Sequence, residues 1–284
     1  MIVSSVLVVG AQGQLGRAVV ERFSRETQVH ALNRRELDVT DAAAVRAAVD
    51  HLTPAAIVNC AVFNDVDGAQ EQQALAFATN GLGPGILARA AQKAGAAFVH
   101  YSTDFVFAGR EDRPWTEDDP PEPLSVYAQS KLVGEWLARD CERHYVLRVE
   151  SLFGGPQRRS TIDRVVAALR QGQPMPLFHD RSVSPSFVDD VADASWRLLS
   201  SGNGHGLYHC VNSGATTWLG IGKMVARSLR LDETLIVPTS IADITLKAPR
   251  PQFAALSNAK LARAGIAMPR WEDAVGRYLS RLPA

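Results

Sequence analysis

Val6-Leu-Val-Val-Gly10-Ala-Gln-Gly13-Gln-Leu-Gly16 is the stretch whose reading decides the fold. Ser5–Val9 carries an unbroken apolar run, the mark of a strand covered on both faces. The residues after it have helical spacing, with Leu15, Val19, Val20 and Phe23 on one face. Glycines at every third position therefore lie between a buried strand and a helix. That is the setting in which a glycine turn holds a dinucleotide. Gly10 permits the tight turn, Gly13 lets a pyrophosphate approach the backbone, and Gly16 allows close helix–strand packing. The helix N-terminus faces the phosphates.

Working outward, strand and helix alternate. "VHALN" reads as a second strand and "DAAAVRAAVDHL" as a helix with Asp41 at its start. "AAIVNCAV" reads as a third strand. "QEQQALAFATNGLGPGILARAAQKAG" reads as one long helix bent at Pro84. "AAFVHYST" and "HYVLRVESLFG" read as the fourth and fifth strands. This alternation predicts an α/β fold, a doubly wound parallel Rossmann sheet with helices on both faces. After Gly155 the pattern changes to short strands, proline-broken loops and further helices. The expected division is a dinucleotide-binding domain over 1–155, to which 187–212 returns. A smaller C-terminal substrate-binding lobe is expected over 156–186 and 213–284.

Composition narrows the class. The 284 residues carry no net formal charge, which removes the electrostatic case for nucleic acid or an anionic membrane as partner. Cys60, Cys141 and Cys210 are scattered, with no CxxC spacing, which fits a reducing cytoplasm and neither a disulfide framework nor a zinc site. The seven histidines have no ligand spacing, and no metal is expected. The five tryptophans read as core or lobe-interface residues. No apolar run approaches a membrane span.

The end of the second strand bears on which dinucleotide binds. An NAD site usually has an acidic residue there to hold the ribose hydroxyls. "ALNRRELD" offers Asn33, Arg34 and Arg35 instead. Two guanidiniums suit a 2′-phosphate and favour NADPH, with NADH still possible. Asp38 and Val39 follow where an adenine edge could be held.

"YSTDFVF" closes the fourth strand, where open α/β sheets bind ligands. It supplies Ser102, Thr103 and Asp104. In "VYAQSKLVGEW", Tyr127 and Lys131 stand four apart and share a helix face. A free tyrosine titrates near 10, too high for a good proton shuttle at neutral pH. The Lys131 ammonium and an oxidised nicotinamide would favour the phenolate and lower that value. Tyr127 would then give its proton to a carbonyl oxygen, Thr103 would orient the carbonyl, and Lys131 would grip the ribose.

With these residues in place, the chain resembles the extended short-chain dehydrogenase/reductase superfamily, in its dTDP-4-dehydrorhamnose reductase family. "VLVVGAQGQLGRAV", "ELDVTD", "YSTDFVFAG", "SVYAQSKLVGE", "GLYHCVNSGATTW" and "APRPQFAALSNAKL" match that family's landmarks in order. The resemblance implies NADPH-dependent reduction of a 4-keto-6-deoxysugar carried on a nucleoside diphosphate, by a monomer or homodimer. It implies that Thr103, Tyr127 and Lys131 are catalytic. Gly10, Gln12, Gly13, Gln14 and Leu15 would line the pyrophosphate turn, and Ala61 and Val62 the cofactor. Asn64, Asp104, Phe105, Glu150, Ser151 and Arg250 would lie at the substrate end.

Some positions depart from the family pattern. Phe105 replaces a tyrosine. Glu150 and Ser151 replace a serine and a tryptophan, which removes a stacking surface and adds a possible negative charge. The reaction type is therefore better supported than the sugar. Two rival readings stay open: an epimerase or dehydratase of the same superfamily, and a dinucleotide-binding regulatory subunit without turnover.

Overall fold

The computed structural model describes residues 3–202 and 204–283. Strand β1 (Ser5–Val9) leads through the glycine turn into helix α1 (Gln14–Phe23). Then come β2 (Gln28–Leu32), α2 (Ala42–Leu52), β3 (Ala56–Asn59), α3 (Gly68–Glu71), α4 (Gln73–Phe77) and α5 (Gly83–Ala94). β4 (Ala97–Thr103), α6 (Val126–Ala138) and β5 (His144–Val149) complete the first half. The second half runs β6 (Leu152–Phe153), α7 (Thr161–Arg170), β7 (Met175–Phe178), β8 (Ser182–Val183), β9 (Ser186–Phe187), α8 (Val188–Ser201) and β10 (Gly206–His209). It ends with β11 (Thr216–Thr217), α9 (Trp218–Leu229), β12 (Ile236–Thr239), α10 (Ala259–Arg263) and α11 (Trp271–Leu279).

Six strands form one parallel sheet in the order β10-β5-β4-β3-β1-β2. The apolar run of β1 explains its central place. Val6 and Val8 enter the core on one face, with Val19 and Phe23 of α1 and Val191 and Leu198 of α8. Leu7 and Val9 enter the core on the other, with Val45 and Val49 of α2 and Leu87 of α5. All four are fully buried, so period-two alternation feeds two cores from one strand. The parallel order reverses at β1, which puts the crevice above the carboxyl ends of the strands, next to the glycine turn. The short strands pair apart from this sheet, β7 with β12, β8 with β11 and β6 with β9.

Three expectations are corrected. The long helix over residues 70–95 is broken into α3, α4, a π-turn at Ala78–Leu82, and α5. Pro84 sits in the first turn of α5, and its missing N–H leaves the Asn80 carbonyl without the usual partner. The fifth strand stops at Val149; Ser151 takes a left-handed φ of 47°, and Leu152–Phe153 beyond it pairs with β9 outside the central sheet. Trp136 on α6 is 53% exposed and is not a core residue. Among the described residues, no helix is long and apolar enough to cross a membrane.

Candidate active site

The glycine turn is built by close approach. Gly10 has φ +69°, and a Cβ there would fall 2.5 Å from the Ala61 nitrogen beyond β3. A Cβ on Gly16 would collide with the Gly10 carbonyl oxygen, which also accepts the Gly13 N–H at 3.0 Å. Gly13 caps α1 without a side chain, so the helix's positive end is left for an anion. Gln14 Nε2 donates to the Gly154 carbonyl at 2.9 Å and ties the turn to the end of β6.

Beside this turn lies a cavity of about 810 Å³. Gly10, Gln12, Gly13, Asn33, Arg34, Arg35, Asp38, Val39, Ala61 and Val62 line it, all of them expected from the sequence. Leu37, Cys60, Phe63 and Thr79 also line it and were not anticipated. Their signal was adjacency: three of them flank expected residues in the chain. Asn33 Oδ1 accepts the Arg35 N–H at 2.8 Å, and Glu36 Oε2 accepts the Asn33 N–H at 2.8 Å. The nearest carboxylate at this strand end is thus engaged by backbone. Neither Arg34 nor Arg35 forms an ion pair among the described residues. Asp38 is drawn below the usual carboxylate range by the Thr40 hydroxyl and N–H, with help from the Arg34 charge.

A second cavity of about 140 Å³ continues inward and shares Gly13, Cys60, Ala61 and Val62 with the first. Gln14, Leu15, Gly16, Asn64, Ser102, Tyr127 and Lys131 border it, so the structure brings the glycine turn and the Tyr/Lys helix face to one slot. Tyr101, Asn59, Val149 and Leu152 complete its wall. Asn80 secures the Phe63 segment that lines the first cavity. Its side chain bonds the Phe63 backbone twice, at 2.8 and 3.0 Å, and donates to Ser130 Oγ at 3.1 Å. Sequence reasoning missed Asn80 because it lay inside an apparently continuous helix.

Helix α6 presents Tyr127 and Lys131 because Ser125 caps it and its inward face packs on the sheet. Both side chains are buried. Lys131 Nζ donates to the Tyr101 carbonyl at 2.5 Å. Burial brings this amine down to about 8, against the opposing charge of Glu135. The Tyr127 phenol is itself raised above its ordinary value. Burial pushes it up and the Asp104 charge adds to the rise, while a hydrogen bond with Thr103 pulls it partly back. In this dry site desolvation is the largest influence on the phenol.

Beneath the pair lies a network the sequence did not disclose. Glu135 accepts Arg148 Nε and Nη2, both at 2.8 Å, and the Ser102 hydroxyl at 2.5 Å. Ser102 therefore borders the slot with its hydroxyl committed to Glu135. Arg148 also stands 4.8 Å over the Phe107 ring. Glu135 and Arg148 lie 13 residues apart on different elements and gave no local motif.

At the substrate end, Thr103 Oγ1 donates to Asp104 Oδ1 at 2.9 Å and accepts the Phe105 N–H at 3.2 Å. The Phe105 ring meets Tyr127 edge-on at 5.7 Å, with Arg181 at 5.4 Å and Arg250 at 5.9 Å from its centre. Arg250 pairs with Asp67 at 3.0 Å and borders a separate cavity of about 550 Å³ with Arg110, Asp180 and Gln252. Ser151 is half-buried. Asp104 and Glu150 are 2% and 1% exposed, so they stand behind the cavity walls and not on them. Glu150 is disfavoured as an added negative charge by its surroundings. Burial, then the Asp104 carboxyl, hold its pKa well above the usual range. No group of three or more metal-ligating side chains occurs among the described residues.

A parallel sheet with its glycine turn and a buried Tyr–Lys pair facing one slot defines a Rossmann-type oxidoreductase of the extended short-chain dehydrogenase/reductase superfamily. Within that class, the chain belongs to the RmlD substrate-binding domain family, whose model matches residues 4–283. It is 36% identical over 269 residues to a dTDP-4-dehydrorhamnose reductase of Streptomyces griseus, covering 92% of this chain and 88% of that one. It is 34% identical to a protein of the same name from Mycobacterium tuberculosis, covering 97% and 92%. The structure of a Bacillus anthracis dTDP-4-dehydrorhamnose reductase in complex with NADP superposes with a TM-score of 0.94 at 26% identity, covering 98% and 99%.

Proposed function

We propose that this protein is an NADPH-dependent reductase of a nucleotide-linked 4-keto-6-deoxysugar. The observation that carries the reading is the meeting of Tyr127 and Lys131 with the glycine turn in one slot. The relatives' names point the same way. The cradle at Gly10 and Gly16, which a Cβ would fill, fits a pyrophosphate. Arg34 and Arg35, which line the cavity and form no ion pair among the described residues, fit a 2′-phosphate. When bound, the nicotinamide supplies the hydride.

The chain's own groups do the rest. Tyr127 holds a proton on its phenol oxygen for the sugar carbonyl. Thr103, at the end of β4 beside that phenol, orients the carbonyl oxygen. Lys131, anchored on the Tyr101 carbonyl, holds the ribose side of the slot. Asn64, Phe105, Ser151 and Arg250 are assigned to the sugar-nucleotide end. We place the dinucleotide domain at 1–155 with 187–212, since β10 joins the central sheet beside β5. The substrate lobe is placed at 156–186 and 213–284. The free state of the three cysteines supports a cytoplasmic setting.

The test is NADPH consumption with a dTDP-4-keto-6-deoxysugar, with Tyr127→Phe run in parallel. The variant should bind NADPH as before and lose turnover. Undiminished turnover in the variant would sink the mechanism.

A further inference from the structure

The glycine turn and the segment after β6 exchange glutamine bonds. Gln14 Nε2 donates to the Gly154 carbonyl at 2.9 Å, and Gln157 Nε2 donates back to the Gln12 carbonyl at 2.6 Å. Gly154 and Gly155, at φ +100° and +79°, bend the chain so that Gln157 returns to the turn. Arg158 follows at φ +50°, a left-handed conformation that a non-glycine residue keeps only where its surroundings impose it. Beyond it, Ser160 and Asp163 cap α7 reciprocally and fix the far end. Residues 154–159 therefore form a strap, with a glycine hinge at one end, a helix cap at the other and a side-chain latch between them.

The latch acts on one peptide plane. The Gln12 carbonyl accepts Gln157 Nε2 at 2.6 Å and, at the longer distance of 3.1 Å, Arg17 Nε. The N–H of the same peptide unit, on Gly13, donates to the Gly10 carbonyl at 3.0 Å. Carbonyl and N–H point opposite ways in a trans peptide, so both ends of this unit are tied. Gln12 borders the cavity of about 810 Å³ and also an outer one of about 440 Å³, which Gly155 and Pro156 share. Arg17 borders the outer cavity and not the inner one, so the carbonyl faces outward. With space on both sides, hydrogen bonds are what keep this peptide from tilting. Turned inward, its carbonyl would set lone pairs against a pyrophosphate where the turn should present N–H groups. The latch is itself closely balanced. Gln157 Oε1 is buried with no hydrogen-bond partner among the described residues, and a buried acceptor left unpaired costs at least as much as a neutral hydrogen bond contributes.

We propose that Gln157 is a cofactor-positioning residue: its bond holds the Gln12–Gly13 peptide with the carbonyl turned away from the cofactor cavity, and the opening of this latch sets the rate at which NADPH leaves. Gln157 touches no cofactor atom in this scheme and acts through the Gln12 peptide.

The inference rests on the dinucleotide part of the reductase reading, so its test uses the cofactor alone. NADPH-loaded protein is mixed with excess NADP+ in a stopped flow, and the loss of bound-NADPH fluorescence gives the release rate for the unmodified protein and for Gln157→Met. Methionine keeps the length of the side chain while removing the donor and the unpaired acceptor together. NADPH should leave the variant about 3- to 10-fold faster, the effect of losing one neutral hydrogen bond. The Tm of the cofactor-free variant should hold or rise, whereas a purely structural Gln157 would lower it on removal. Gln157→Ala, which removes the same donor without filling the space, should release NADPH equally fast. Unchanged release in both variants would overturn the proposal and leave the reductase reading intact. No NADPH bound by the unmodified protein would remove the dinucleotide reading, and the proposal with it.

Discussion

Gly134 of α6 lies directly against the backbone oxygen of Asn80, so close that a Cβ on Gly134 would overlap it. That oxygen is the one Pro84 cannot serve, four residues on, because proline has no N–H. The π-turn, the proline and the glycine thus act together. They let the helix carrying Tyr127 and Lys131 close onto the segment whose Asn80 side chain holds the Phe63 backbone beside the larger cavity.

Gly134→Ala should accordingly destabilise the protein. Alanine gains about 1 kcal/mol of helix propensity over glycine in a helix interior. Overpacking a rigid backbone contact costs about 1–3 kcal/mol, and here the clash is with a carbonyl that cannot swing away. The clash should win. Thermal unfolding should show a lower Tm, and kcat should fall with it as Tyr127 and Lys131 shift outward. An unchanged Tm would mean that α6 can move without cost.

The arginines at the end of β2 predict cofactor choice. A charge-assisted hydrogen bond contributes about 1.5–3 kcal/mol. Removing both side chains, as Arg34→Ala with Arg35→Ala, should lower kcat/KM for NADPH roughly 10- to 100-fold. It should leave NADH nearly untouched, since NADH has no 2′-phosphate. Parallel losses with both cofactors would place the arginines outside the cofactor's reach.

Glu135 makes a third prediction. It and Arg148 are buried to 2% and 3% side-chain exposure and meet at 2.8 Å. Removing one partner leaves a buried charge unpaired, a loss of about 3–5 kcal/mol. Glu135→Gln should show this in chemical denaturation. It should also depress Lys131 further, because the Glu135 charge is what props up that amine. A titration of Lys131 that moves upward would contradict the arrangement.

The contrast between what was legible and what was not follows from range. The sheet was readable because β1 declares itself by an apolar run that feeds two cores, and Gly10 and Gly16 sit where only a missing Cβ fits. Tyr127 and Lys131 were readable because a helix turn puts them on one face. Glu135 with Arg148, Asn80 with Phe63, and Arg181 over Phe105 were not, because each joins residues from separate elements with no local period. The influence of burial on Tyr127 was not legible for a related reason. A neighbouring charge can be read from spacing, while the dryness of a site depends on how the whole fold closes over it.

Glu150 carries the last prediction, a dependence of stability on pH. Its pKa in the folded protein is raised well above the ordinary carboxyl value, first by burial and then by Asp104. The folded state therefore keeps a proton that the unfolded state releases. Unfolding is favoured as pH rises from the unfolded value towards the folded one, and the full cost is present above the folded value. Glu150→Gln removes a titrating group while its side-chain carbonyl can still accept the Ser184 N–H. The variant should have a higher Tm than the unmodified protein at pH 8, and the difference should shrink as the pH falls towards 5. A variant less stable than the unmodified protein at pH 8 would mean that Glu150 is ionised and paired in the folded state, most directly with Arg181.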